Sequence, residues 1–254
     1  MVNIKVEGVT FSYSSTPALR GVTVEIPPRT FTAVLGPNGS GKTTLLRVMA
    51  KILKPHGGAV YVEGREVRKW GNNLYKVLGY VPQRVAPIGR IRVYDFVLSG
   101  RKPHMGFLPS AEDYKAVEEA LRTVGAWHLK DRVLEELSGG ELQLVLVAKA
   151  LALKPKVLLL DEPLNNLDVK NQLAILRIMH RLSAETSVVA VLHDINMAYR
   201  YADYVIFMKK GVIHVAGPTE EVFTEEVIEK IYDVTVKLLR EHRIVIFDQE
   251  RLPT

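Results

Sequence analysis

Gly36-Pro37-Asn38-Gly39-Ser40-Gly41-Lys42-Thr43 fits the spacing G-x-x-x-x-G-K-[ST], and each part of it has a chemical use. Glycines let the backbone curl so that successive N–H groups point inward around phosphate oxygens. A helix starting just beyond adds its partial positive charge. Lys42 supplies a point charge for β and γ phosphates. The Thr43 hydroxyl is the kind of oxygen that Mg²⁺ takes together with phosphate and water. A glycine turn ahead of a helix is the plain alternative, but average residue frequencies give this pattern in roughly one chain of this size in a hundred. The motif also follows a strand-like run at Phe31–Leu35 and precedes a helix-like one at residues 43–52, the context it requires.

A second group of candidate residues is Asp161-Glu162, which follows the apolar run Val157-Leu158-Leu159-Leu160. Four apolar residues predict a buried parallel strand, and ligands of parallel α/β sheets bind at the C-terminal edge of the strands. Asp161 is then placed for the Mg²⁺ shell and Glu162 to polarise an attacking water. By itself such a pair more often marks a helix start or a surface; the phosphate motif reverses that weighting.

These residues need a scaffold, and the hydrophobic pattern supplies one. Residues 4–7 and 22–26 alternate like strands, and residues 59–62 and 77–81 read as two more. The helix after the phosphate motif is expected to end at Pro55 and Gly57-Gly58. Between about 86 and 152 the pattern turns helical. Ser110 and Asp113 resemble a capping box for a helix over 111–124, and residues 142–153 are apolar on nearly every face, which predicts a buried helix. Strand-helix alternation then resumes, with a hairpin around Lys209-Lys210-Gly211, a helix at 225–232 and a strand-like tail. The expectation is one α/β domain over 1–254: a mostly parallel sheet with N-terminal antiparallel strands, a core at about 1–85 and 153–254, and an inserted α-helical subdomain at about 86–152.

Composition narrows the setting. The chain has 254 residues, 47% hydrophobic and 24% charged, as in an ordinary globular protein. It has no cysteine, which excludes disulfides and thiolate metal sites. The first residues carry no leader pattern, and no apolar run approaches the ~20 residues that span a bilayer, so any membrane role is expected to come through a partner. The formal charge of +6 is scattered rather than blocked, which reads as a solvated surface and not a nucleic-acid face.

Leu137-Ser138-Gly139-Gly140-Glu141 carries the decisive spacing. Ser138 and Glu141 form an S-x-x-E capping box, and a glycine-rich helix N-terminus is itself an anion site. The segment resembles the LSGGQ signature of ABC ATPases, and further motifs of that family follow in order over residues 3 to about 238. Tyr13 resembles the aromatic that stacks on adenine, and Gln83 the Q-loop glutamine that senses Mg²⁺ and the attacking water. Leu164-Asn165-Asn166-Leu167-Asp168 resembles the D-loop, and His193 the switch histidine that contacts the γ-phosphate. Ser99-Gly100-Arg101-Lys102-Pro103-His104 with Asp113, and His193-Asp194-Ile195-Asn196-Met197-Ala198, resemble ATPases serving importers of iron chelates, haem and cobalamin. Relatives serving zinc, manganese, molybdate or tungstate share much of this. Three features depart from the pattern: Glu141 in place of Gln, Leu142 and Lys149 where Arg is usual, and the pair Asn165-Asn166.

The resemblance implies a P-loop NTPase fold and a head-to-tail homodimer with MgATP between the loop at 36–44 of one subunit and residues 138–141 of the other. Asp168 would lie at that joint. It implies two permease subunits seated on the helical subdomain near residues 84–110, a periplasmic or extracellular binding protein reached through them, and residence at the cytoplasmic face of the membrane. A soluble ABC ATPase acting on DNA or ribosomes is the main rival, but there is no heptad run and only one ATPase unit in this chain. No N-K-x-D guanine-reading motif supports a GTPase.

Overall fold

The computed structural model describes residues 4–83 and 89–248. The chain runs β1 (Ile4–Tyr13), β2 (Thr16–Ile26), β3 (Phe31–Leu35), α1 (Lys42–Met49), β4 (Gly57–Val62), β5 (Arg65–Glu66), a 3₁₀ stretch (Val67–Lys76) and β6 (Leu78–Val81). Three α-helices follow: α2 (Val93–Leu98), α3 (Ala111–Thr123) and α4 (Gly139–Ala152). Alternation returns with β7 (Val157–Asp161), α5 (Val169–Leu182), β8 (Ser187–Val191), α6 (Ile195–Tyr201), β9 (Tyr204–Lys209) and β10 (Val212–Pro218). The described chain ends with α7 (Thr219–Val222), α8 (Glu225–Tyr232), β11 (Thr235–Leu239) and β12 (Ile244–Asp248).

The apolar runs lie where both faces of a strand are covered. β3, β7 and β8 are buried at every position and form the middle of a six-stranded sheet of order β10-β9-β3-β8-β7-β6, parallel except for β10. Alternate side chains serve two cores. Val34, Leu159, Val189 and Val191 pack with α1 against β1, β2 and β4, whereas Ala33, Leu35, Leu158, Leu160 and Ala190 face the helices on the other side. β1, by contrast, alternates buried with partly exposed residues, as an antiparallel sheet with one solvated face should.

α1 ends at Met49, short of the expected 52, because Lys51 takes φ +59°. Gly57 and Gly58 do not stop the helix; they open β4. A Cβ on Gly58 would lie 2.3 Å from the Glu7 carbonyl, so a close crossing with β1 dictates glycine there. α4 starts three residues before the expected 142, and the start of the apolar stretch is only partly buried: Leu142 and Leu144 are of intermediate exposure, while Val145–Ala148 are buried. The expected helical subdomain from about 86, and the permease seat near 84–110, begin in 84–88, outside the described residues.

Among those helices one ion pair is almost fully enclosed. Arg101 Nε donates to Asp113 Oδ1 at 2.8 Å, with both side chains about 5% exposed or less, and Arg101 Nη1 donates to the Ala152 carbonyl at 3.1 Å. Asp113 Oδ2 accepts from the Ser110 N–H and hydroxyl, so the predicted capping box and the ion pair share one carboxylate. The Ser110 N–H, then Arg101, hold the Asp113 carboxyl down at about 2.

Candidate active site

The turn between β3 and α1 is built on one carbonyl contact. Gly36 has φ +147°, and a Cβ there would stand 2.0 Å from the Met208 carbonyl of β9. Only glycine lets the chain pass. Gly41 then caps α1 in the left-handed region. Lys42 is 5% exposed and folds back over the turn, its Nζ donating to the carbonyls of Gly36 (2.8 Å) and Pro37 (2.9 Å). Burial lowers its pKa, and Glu162 and Asp161 oppose that shift. Ser40 Oγ is buried with no partner among the described residues, so a polar atom faces into the turn unsatisfied. Asn38, Gly39, Ser40, Gly41, Lys42, Thr43 and Thr44 line a cleft of about 310 Å³ with Tyr13 and Glu162. Tyr13 is 46% exposed and set edge-on to Phe11, leaving a ring face free at the mouth.

The C-terminal end of β7 delivers both carboxylates. Asp161 is fully buried, and burial raises its pKa. Its Oδ1 accepts from Thr43 Oγ1 at 2.8 Å and its Oδ2 from Tyr80 OH at 3.1 Å, with Arg47 Nε 3.9 Å away. Burial and then Asp161 push the Tyr80 phenol up to about 12. Glu162 adopts φ +52°, uncommon outside glycine, which turns its side chain away from the buried strand. One oxygen, Oε2, accepts from the amides of both Gln83 and Asn165; the other, Oε1, lies 2.8 Å from His193 Nε2. Gln83, Glu162 and His193, read from three separate segments, therefore meet.

Residues 138–141 do not line this cleft. Ser138 and Glu141 make the predicted capping box of α4: Ser138 N donates to Glu141 Oε2 at 2.8 Å, and Glu141 N to Ser138 Oγ at 3.3 Å. The Ser138 N–H is the main cause of the lowered Glu141 pKa, and Arg132 Nη1 reaches Oε1 at 3.2 Å. The charge of Glu141 is thus turned back into the cap, leaving Gly139 and Ser138 exposed. Gly140 is buried against Asn171, and Asp168 caps α5 by accepting from Asn171 N at 2.8 Å. The signature loop and Asp168 share a surface with Asn171, away from the phosphate turn of the same chain.

Three contacts were missed from sequence. Arg47 stands four residues after Thr43 on α1, a helical spacing that was available as a signal. Tyr80 lies in the strand expected over 77–81 and Asn165 in the Leu164–Asp168 segment, but nothing local says which carboxylate they meet.

The donor chemistry suits a hard cation: a hydroxyl (Thr43), a carboxylate (Asp161) and an amide oxygen (Gln83) are Mg²⁺ ligands, phosphate and water completing the shell. Among the described residues no group of three or more His, Cys, Asp or Glu is arranged to hold a metal alone.

A parallel sheet with the phosphate turn after one strand and two carboxylates ending another defines a P-loop nucleoside triphosphatase. The family model described as ABC transporter matches residues 19–165. The chain belongs to the ABC transporter family and is an ATP-binding, ATP-hydrolysing subunit. An uncharacterised ABC transporter ATP-binding protein of Methanocaldococcus jannaschii is 41% identical over 234 residues, 91% of each chain. The ferric enterobactin transport ATP-binding protein of Escherichia coli is 34% identical over 244 residues, 94% of this chain and 90% of that one. A structure described as a metal-chelate type ABC transporter in an inward-facing conformation superposes with TM-score 0.83 at 29% identity, covering 97% of this chain and 96% of that one. A dimeric bacterial ABC transporter cassette gives TM-score 0.75 at 28% identity, covering 85% and 98%.

Proposed function

We propose that this chain powers an importer of an iron chelate, haem, cobalamin or a related metal compound, hydrolysing MgATP as a head-to-tail homodimer beneath a separate pair of permease subunits. The meeting of Gln83, Asn165 and His193 on the carboxylate of Glu162, at the rim of the phosphate cleft, carries the hydrolytic reading. The cargo class is supported by likeness to the ferric enterobactin and metal-chelate systems.

In this reading the turn at 36–44 wraps the phosphates and Tyr13 stacks on the base. Lys42 exchanges its two carbonyl partners for β and γ oxygens. Thr43, Asp161 and Gln83 would hold Mg²⁺, which would supply neutralisation of the phosphate charge. Glu162 orients and polarises the attacking water, and His193 fixes Glu162 and faces the γ-phosphate. One subunit leaves that phosphate open on one side. Ser138, Gly139, Gly140 and Glu141 of a second copy cover it: Ser138 and the first amides of α4 bring the anion-binding groups, while the cap and Arg132 keep the Glu141 charge aside. Asp168 lies at the joint. ATP favours the closed dimer because it touches both faces there, and hydrolysis removes that preference.

The permease partner is supported by a second and larger cavity, about 500 Å³, which shares no lining residue with the phosphate cleft. It is apolar and runs between the end of β6 and α2 and α4, with Tyr80, Phe96, Gly100 and Leu146 in its lining. Among the described residues no helix is long and apolar enough to cross a membrane. In this reading the chain attaches at the cytoplasmic face through that seat, and a periplasmic or extracellular binding protein is reached only through the permease subunits.

The test is isolation of the chain with its neighbours from gently solubilised membranes, followed by uptake of a radiolabelled ferric chelate in proteoliposomes. ATP-dependent uptake supports the reading. Recovery with ribosomes or DNA and no permease overturns the transport assignment, and uptake of only zinc or molybdate overturns the cargo.

A further inference from the structure

His193 stands outside any regular element, between the end of β8 and the Asp194 cap of α6. Its position against Glu162 is held from one side by Leu192, buried and donating its N–H to the Val34 carbonyl at 3.2 Å, and from the other by the first turn of α6. Asp194 Oδ1 accepts from Met197 N at 3.0 Å, and Ile195 is buried in the main core. Both act within the helix or beneath it. The third holding group is Asn196, which reaches across to the C-terminal hairpin.

Asn196 Oδ1 accepts from Val245 N at 2.7 Å, and Asn196 Nδ2 donates to the Val245 carbonyl at 3.3 Å. A primary amide carries the same donor and acceptor as a peptide group, so it does for Val245 what a neighbouring strand would do. Among the described residues β12 has only β11 as a strand partner. The amide orientation is dictated by this pairing, because a flipped Asn would face donor with donor. The hairpin is itself tied down: Leu238 N donates to Glu225 Oε1 at 2.7 Å, Val236 N to Glu229 Oε1 at 3.1 Å, and Arg243 bonds the Arg200 carbonyl at the far end of α6 and pairs with Glu220. The hairpin thus grips α6 at both ends, through Asn196 near its start and Arg243 near its finish.

We propose that Asn196 is a positioning residue for hydrolysis, splicing the C-terminal hairpin onto α6 and so fixing His193 against Glu162. The proposal rests on the role given to His193 above. Asn196 makes no contact with the phosphate cleft, so its loss acts on the chemical step and not on nucleotide binding. Displacements of ~1 Å at a reacting group cost up to about 100-fold.

The experiment measures MgATP turnover, ATP affinity and melting temperature for the full chain and for Asn196→Leu, Asn196→Asp, His193→Ala and the double variant Asn196→Leu/His193→Ala. The expected result is a kcat about tenfold lower in Asn196→Leu, with KM for ATP held within about twofold. Asn196→Asp keeps the acceptor for Val245 N–H and falls between. In the His193→Ala background the Leu substitution adds no further loss. Unchanged kcat in Asn196→Leu, or a loss that multiplies with that of His193→Ala or moves with the melting temperature, overturns the proposal. Full turnover in His193→Ala overturns the histidine's role itself, and the Asn196 proposal with it.

Discussion

His193 Nε2 lies 2.8 Å from Glu162 Oε1, joining the segment after β8 to the residue after β7 at the rim of the phosphate cleft. Neither side chain is within 30 positions of the other in the chain, and the contact exists because β7 and β8 are parallel neighbours ending at the same edge. Glu162→Gln keeps the shape and removes the base. Turnover should fall by at least about 100-fold while ATP still binds, so that an ATP-bound dimer accumulates. Phosphate release and gel filtration with ATP measure both. Near-normal turnover would remove Glu162 from the chemistry.

Asn165 is an uncommon D-loop residue, and its amide shares Glu162 Oε2 with that of Gln83. A hydrogen bond to a charged group contributes about 1.5–3 kcal/mol. Asn165→Ala should lower kcat about tenfold with little change in KM, since it leaves the cleft lining intact. A rise in KM alone would place Asn165 in binding instead.

Lys42 bridges two carbonyls of its own turn. Lys42→Ala removes the phosphate contact and also frees those carbonyls. ATP affinity should weaken by about 100-fold or more, read by titration with a fluorescent ATP analogue. An affinity within threefold of the parent would show that the backbone N–H groups suffice.

Asp113 gives a pH test. Its carboxyl is held at about 2, below the usual 3.8. A lowered folded-state pKa means the stabilisation is complete above the unfolded value near 4 and is lost as pH falls through about 2. It amounts to about 2 kcal/mol. Asp113→Asn also strands the buried Arg101 and should lower the melting temperature at pH 7 by about 6–12 °C. Denaturant melts from pH 7 down to pH 3 should show the gap between the two proteins narrowing on the acid side. A gap independent of pH would mean that Asp113 acts as a neutral cap only.

The local patterns were legible because they are local. A phosphate turn needs glycines at set positions whatever surrounds it, and Gly36 meets that need against one carbonyl of β9. Capping boxes at Ser110 and Ser138 close within four residues. Continuous apolar runs declare buried parallel strands because no other strand covers both faces. What the sequence could not show were the individual pairings of polar groups: Tyr80 with Asp161, Asn165 with Glu162, Asn196 with Val245. Gly57-Gly58 read as a helix stop because the Glu7 carbonyl that requires glycine at 58 is far away in the chain. Leu142 and Leu144 of α4 read as buried because periodicity reports side-chain type and not what lies opposite. Sequence alone determined which chemical groups this protein carries and the order of its elements. The tertiary structure decided which of those groups meet, because strand order and helix packing are set by the whole core.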